Sequence, residues 1–269
     1  GARGNVHINA PYAILETTGI MSVFAVFVVV ALVAGTVVRD EETGFAPILR
    51  STRLTKWAYL AGRFVGSVLA SLWVLAAVPL AIAVGSFMPW LDPERLGPFY
   101  LSHYLWALFV LGLPTLLILG AAFFALATVT RSMMWSYVGA VLLLVLFLVT
   151  RGLLRDPQFD GIAALTDPFA ISAMNIATKY WTAAERNSLL PELSGVLLAN
   201  RILWVGIALG VFVATATLFS FETKPRGLKW FTRSKNSNDL NPGTSQAVAV
   251  TTAPAPAPAP APGISTPLA

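Results

Sequence analysis

Long apolar stretches alternate with short polar ones along this chain, and nearly all the charge lies in the polar ones. Five stretches contain no charged residue: Ile20–Val38, Phe64–Phe87, Tyr104–Thr130, Met133–Thr150 and Ile202–Phe221. Crossing a hydrocarbon core as a helix takes about 20 such residues. Backbone groups in lipid must be bonded within the segment, so the pattern predicts helices. A membrane β-barrel would show alternating segments of roughly ten residues, and none is visible. Only Arg131 and Ser132 separate the third and fourth stretches, which predicts a tight turn between antiparallel helices. The expected fold class is all-α: a polytopic membrane bundle of five transmembrane helices with short interfacial helices.

Composition agrees. Of 269 residues, 56% are hydrophobic and only 12% charged, against about 45–50% and about 25% in soluble domains. Mean hydropathy is +0.71. A single soluble domain is excluded, because a water-facing surface needs charge that is not here. The chain has no cysteine, which excludes a disulfide scaffold, a thiolate metal site and a cysteine nucleophile. Neither H-E-x-x-H nor a Walker phosphate loop is present, so zinc-peptidase chemistry of that type and nucleotide binding are not expected of this chain. His7 and His103 read as headgroup-level polar residues, and Asp92 and Glu94 as members of a Pro/Gly turn. The chain is not expected to be an enzyme, and it offers no catalytic, cofactor or metal residues.

The cations are placed asymmetrically. Arg39, Arg50, Arg53, Lys56, Arg63, Arg131, Lys224, Arg226, Lys229, Arg233 and Lys235 fall on one side of a five-span topology, whereas the short loop Met88–His103 carries Arg95 alone. Cations accumulate in short cytoplasmic connections. The expected location is therefore a bacterial inner membrane, with the N-terminus outside and the C-terminus in the cytoplasm. That orientation calls for a span before Gly1, so a first helix is expected to be missing from this sequence.

The connection between the first two spans carries the most information. Phe45, Ile48, Leu49 and Thr52 share one face at helical spacing, with Arg50 and Arg53 off that face. Pro47 and the acidic residues before it suit the first turn of a short helix lying at the membrane surface. By periodicity alone this is either a docking surface or a plain cationic anchor.

The run Val38-Arg39-Asp40-Glu41-Glu42-Thr43-Gly44-Phe45-Ala46-Pro47-Ile48-Leu49-Arg50-Ser51-Thr52, followed by Tyr59-Leu60-Ala61-Gly62-Arg63-Phe64, resembles the type-2 ABC exporter permeases. Gly4–Tyr12, Met88–Pro98, Thr130–Met134 and Tyr180–Asn187 are similar to the branch whose permease modules are fused to, or paired with, a zinc aminopeptidase. The likeness covers residues 4–222. It implies a permease domain over residues 1–222, with a coupling helix at about 44–56 that docks on an ATPase subunit. Glu41, Glu42, Phe45, Ile48, Leu49, Arg50 and Arg53 are the implied docking residues. It also implies ATP and Mg bound on that partner, a second permease half, and a possible aminopeptidase module absent from this chain. The alternative is a membrane scaffold for the peptidase, without transport. The substrate is not implied, because a shared fold does not fix function.

Other features shape the expectation. The long loop Arg151–Arg201 predicts two short helices lying on the outer leaflet, one capped by Asp167 before Pro168 and one opened by Thr182 and Glu185. Tyr180 and Trp181 are expected at headgroup level. Arg151, Arg155 and Arg201 are expected to snorkel to the interface, with no charge deep in a span. The rows Gly62–Gly66–Ala70 and Gly206–Gly210–Ala214 offer close helix approach, and Pro79 and Pro114 predict kinks. Residues 223–269 read as a tail whose basic start suits anionic lipid and whose Ala-Pro repeat suits a disordered spacer. No nucleic-acid partner is expected.

Overall fold

The computed structural model describes residues 5–42 and 55–218, all within one compact unit, Gly1–Glu222. All regular structure among the described residues is helical, and five helices are long and apolar enough to cross a membrane: Pro11–Arg39, Lys56–Gly85, Leu101–Thr130, Met133–Leu153 and Gly195–Leu218. This is a multi-pass membrane protein. Its outer surface requires lipid: Trp73, Leu80, Leu142 and Leu146 stand exposed on the flanks of the spans, an apolar area far beyond what a water-soluble chain leaves open.

Every span keeps or extends its predicted start, and the shifts have consequences. The first begins at Pro11 rather than Ile20, so Glu16 lies within it. The second begins earlier, at Lys56, where the Thr55 hydroxyl accepts the Ala58 N–H at 3.3 Å and caps the helix. The fifth begins at Gly195, whose φ of +55° turns the chain into the helix and which carries no Cβ to strain there. The turn between the third and fourth spans is as tight as expected. Arg131 adopts the left-handed conformation, and its N–H returns to the Ala127 carbonyl at 2.8 Å.

The third span is the hub. Its most apolar window is 61% buried, against 17% for the fourth, so the other spans pack around it. Phe64, Phe124 and Phe212 join the second, third and fifth spans, with Phe64 to Phe212 centroids 4.6 Å apart. Pro114 supplies no N–H and crowds the turn before it. The chain answers with a widened π-helical segment, Ala107–Gly112, immediately upstream.

Close helix approach occurs at glycines other than the predicted ones. Gly62, Gly66, Ala70, Gly206, Gly210 and Ala214 face outward, and a Cβ at any of these four glycines would meet nothing within 4 Å. Contact between the second and third spans runs instead through Gly112 and Gly120. A Cβ at Gly120 would lie 2.9 Å from Val68 and 3.4 Å from Phe64. Gly120→Leu is therefore expected to destabilise the bundle by about 1–3 kcal/mol through overpacking. Gly66→Leu is expected to leave it nearly unchanged. Thermal denaturation of the two variants in one detergent checks the difference.

The N-terminal segment and both connections on its side form a clasp at one end of the bundle. The Asn9 side chain exchanges two hydrogen bonds of 2.7 Å with the Gly97 backbone. The His7 N–H donates to Asn187, and Asn187 donates to the Asn5 carbonyl, both at 2.9 Å. Arg186 sits 4.7 Å over the Tyr12 ring. Asn187 is held in place by the helix Ala183–Ser188, which opens with the expected capping box: Thr182 accepts from the Glu185 N–H and Glu185 accepts from the Thr182 N–H. Donation from the Thr182 N–H, and from its hydroxyl, holds the Glu185 carboxyl below the usual glutamate range. Its contribution is thus complete above the unfolded value of about 4.3 and is lost as pH falls through the lower folded value. Amide-exchange protection at Glu185 and Arg186 is expected to persist at neutral pH and to decline below about pH 4.

Candidate functional site

The loop between the fourth and fifth spans does not lie on the bundle; it is inserted into it. Three short α-helices occupy it, Asp160–Thr166, Ile171–Ala177 and Ala183–Ser188, with a 3-10 turn at Pro157–Phe159, where two short helices were expected. Ala164, Asp167, Phe169, Ala170, Ala173 and Met174 are buried. Phe169 meets Phe147 of the fourth span edge-on at 4.7 Å, and the Pro168 carbonyl reaches the Thr115 hydroxyl of the third span at 3.2 Å. Apolar side chains at these positions make the loop a plug between the third, fourth and fifth spans. Tyr180, by contrast, is almost fully exposed, as an interfacial aromatic would be.

Asp167 does cap, but not a helix opening at Pro168. One carboxylate oxygen accepts the Phe169 N–H at 2.9 Å and the other the Ser172 N–H at 2.8 Å, around the left-handed Ala170. The helix begins only at Ile171.

The plug is held by the fifth span through Asn200 and Arg201. The Asn200 amide donates to the carbonyls of Ala164 at 2.6 Å and Asp167 at 2.9 Å. Its oxygen accepts from Arg201 Nε at 2.9 Å and also from Nη2. Arg201 Nη1 donates to the Leu111 carbonyl and to Thr115 Oγ1, each at 3.3 Å, and Nη2 to the Pro168 carbonyl at 3.2 Å. The Leu111 carbonyl, in the widened turn before Pro114, also accepts the Thr115 hydroxyl at 2.8 Å. Asp167 is close enough to interact with the arginine charge.

This corrects the expectation for Arg201. The side chain is only 5% exposed and does not snorkel. It is the seventh residue of a helix that starts at Gly195, about 9 Å along the axis at 1.5 Å per residue. The supposed absence of charge within a span fails for the same reason, since the apolar run was measured from Ile202. A buried guanidinium survives in lipid only where carbonyls and amides replace water, and here five acceptor contacts are named.

Beside the plug lies a cavity of about 1060 Å³. Ile118, Leu119 and Ala122 of the third span form its back wall, Leu143, Leu146 and Phe147 of the fourth one side, and Trp204 of the fifth the other. The fourth and fifth spans each pack on the third but scarcely touch one another, so the cavity opens sideways between them. Its loop-side rim carries Arg151, Arg155, Asp160 and Lys179. Lys179 pairs with Asp160 at 2.9 Å, which raises the lysine pKa. Arg151 lies 5.6 Å over the Phe147 ring.

The docking residues implied by the resemblance fall elsewhere. Phe45, Ile48, Leu49, Arg50 and Arg53 lie outside the described residues. Glu41 and Glu42 are the last two residues of the helix Gly35–Glu42. The helix ending at Glu42 and the helix starting at Lys56 both have these termini at the end of the bundle opposite the plug. There, Lys56 Nζ donates to the Thr217 carbonyl at 3.2 Å, joining the start of the second span to the end of the fifth. The basic and Pro/Ala-rich tail also lies outside the described residues. Among the described residues, no three His, Asp or Glu side chains gather as metal ligands would.

No family model matches the chain, and neither curated proteins nor solved structures provide a match.

Proposed function

We propose that this chain is the transmembrane half of an ABC-type exporter, worked by an ATPase on a partner subunit. The observation that carries this reading is the polarity of the bundle. One end is closed by the plug and clasp. The other gathers Arg39, Lys56, Arg63 and Arg131, and the first span ends and the second begins there, on either side of residues 43–54. Such an excess of cations faces the cytoplasm, where an ATPase would meet Phe45, Ile48, Leu49, Arg50 and Arg53. The motif likeness of that connection to type-2 exporter permeases supports the same assignment. The buried third span, with the plug locked to it through Arg201, gives motion applied at residues 43–54 (the elbow) a path to the far end.

A charge-reversed elbow tests this. Arg50→Glu with Arg53→Glu is expected to reduce co-purification of a Walker-containing subunit at least tenfold, and its protein-dependent ATPase stimulation equally, while the bundle elutes normally. Two reversed charges at a docked interface each cost about 1–3 kcal/mol or more. Unchanged ATPase recovery and stimulation would refute the coupling role. Recovery of an aminopeptidase with no ATPase would favour the scaffold reading.

A further inference from the structure

The lateral cavity is separate from the elbow, and nothing in the exporter reading assigns it. We infer that it binds an anionic membrane phospholipid, with an acyl chain against the third span and the phosphate on Arg151 and Arg155.

Shape comes first. The cavity opens between two spans that scarcely touch, so a lipid enters it sideways without leaving the bilayer. Its 1060 Å³ lies at the upper end of small-molecule sites, which hold about 300–1,000 Å³. The walls within the membrane are apolar: Leu119, Ala122, Leu146 and the ring of Trp204, whose N–H is already taken by the Leu165 carbonyl at 3.0 Å. A water-filled, polar solute path would leave such walls unsatisfied, whereas an acyl chain covers them.

Charge decides the headgroup. Of the rim groups, Lys179 and Asp160 neutralise each other, and Asp167 is turned inward to two backbone N–H groups. That leaves Arg151 and Arg155, four residues apart at the end of the fourth span. Neither forms an ion pair among the described residues. Phe147 holds the Arg151 guanidinium at the mouth by a cation–π contact. Two guanidinium forks at the level where a helix leaves the membrane match a phosphate, which accepts paired N–H bonds. A zwitterionic choline lipid brings its own cation into the same rim and gains less.

The full chain in nanodiscs of three parts phosphatidylcholine to one part phosphatidylglycerol provides the test. Each lipid is supplied in turn with a photoreactive group on its acyl chain, and the labelled peptides are mapped. The phosphatidylglycerol probe is expected to label the Ile118–Ala122 and Leu143–Phe147 segments more than the choline probe, by about fivefold for each arginine engaged. Arg151→Glu with Arg155→Glu should remove that preference, and Arg151→Lys with Arg155→Lys should retain most of it. Ala122→Trp, which fills the cavity, should abolish labelling there by both probes while labelling of the outward Trp73 face continues. Equal labelling by the two probes, a preference that survives charge reversal, or no lipid labelling of the cavity segments would each overturn the assignment. None of these readouts involves an ATPase, so a failure of the exporter reading would leave them intact.

Discussion

Arg201→Ala is expected to cost about 3–5 kcal/mol, the range found when one member of a buried charged network is removed. The substitution leaves the Asn200 oxygen without a donor, and leaves the Leu111 and Pro168 carbonyls with only the single hydrogen of the Thr115 hydroxyl between them. Each buried acceptor left open costs about 1–3 kcal/mol, part of which local rearrangement recovers. Asp167 would also lose the cation that acts on it. In a chain of this size the loss corresponds to a fall of roughly 6–20 °C in melting temperature. Arg201→Lys is expected to recover little. An ammonium is a single point with three donors, whereas the acceptors here are spread around a planar fork on three different elements. Thermal melting in one detergent, with monodispersity checked by gel filtration, measures both variants. A melting temperature within 2 °C of the parent for Arg201→Ala would mean that the arginine is solvated and that the described network does not hold the plug.

Asp167→Asn carries the second large effect, at about 2–3 kcal/mol. The isosteric amide keeps one oxygen for one backbone N–H but turns its NH₂ toward the other, placing donor against donor at Phe169 or Ser172. It also removes the anion that balances Arg201. The two losses share one network, so they are expected not to add. A double variant, Asp167→Asn with Arg201→Ala, should be less destabilised than the sum of the singles by about 1 kcal/mol or more. Strict additivity in this cycle would show that Asp167 acts only as a local cap and that its charge does not reach the fifth span. Limited proteolysis within Asp156–Leu190 provides a second readout, because a plug released from the bundle exposes Phe169 and Met174.

The spans were legible because a bilayer leaves one signal, a charge-free apolar run, and sets its length. Their starts were less legible. The first helix extends back to Pro11 through Tyr12, Glu16, Thr17 and Thr18, polar side chains that lie against other protein or near the clasp and so need no lipid. The capping box at Thr182 and Glu185 and the left-handed Arg131 follow from local chemistry, which sequence records directly. The plug does not. Its burial depends on which loop meets which span, and Phe169 or Ala173 in an otherwise polar loop reads equally well as an interfacial face. Pro114 was legible as a kink within the third apolar run and Arg201 as the cation just before the fifth. What could not be read is that the third span offers Arg201 the Leu111 carbonyl 90 residues upstream and the Thr115 hydroxyl 86 residues upstream. The outward rows at Gly62 and Gly206 teach the converse lesson: a small-residue pattern permits close approach but does not say which neighbour, if any, takes it up.

Because the native chain has no cysteine, single-cysteine accessibility tests the arrangement directly. The variants are Ser51→Cys in the elbow and Ser188→Cys at the exposed end of the third loop helix. A membrane-impermeant maleimide applied to intact cells is expected to label Ser188→Cys and to spare Ser51→Cys until the membrane is opened. Labelling of Ser51→Cys in intact cells, with Ser188→Cys protected, would invert the bundle and place the elbow beyond the reach of any ATP-driven partner.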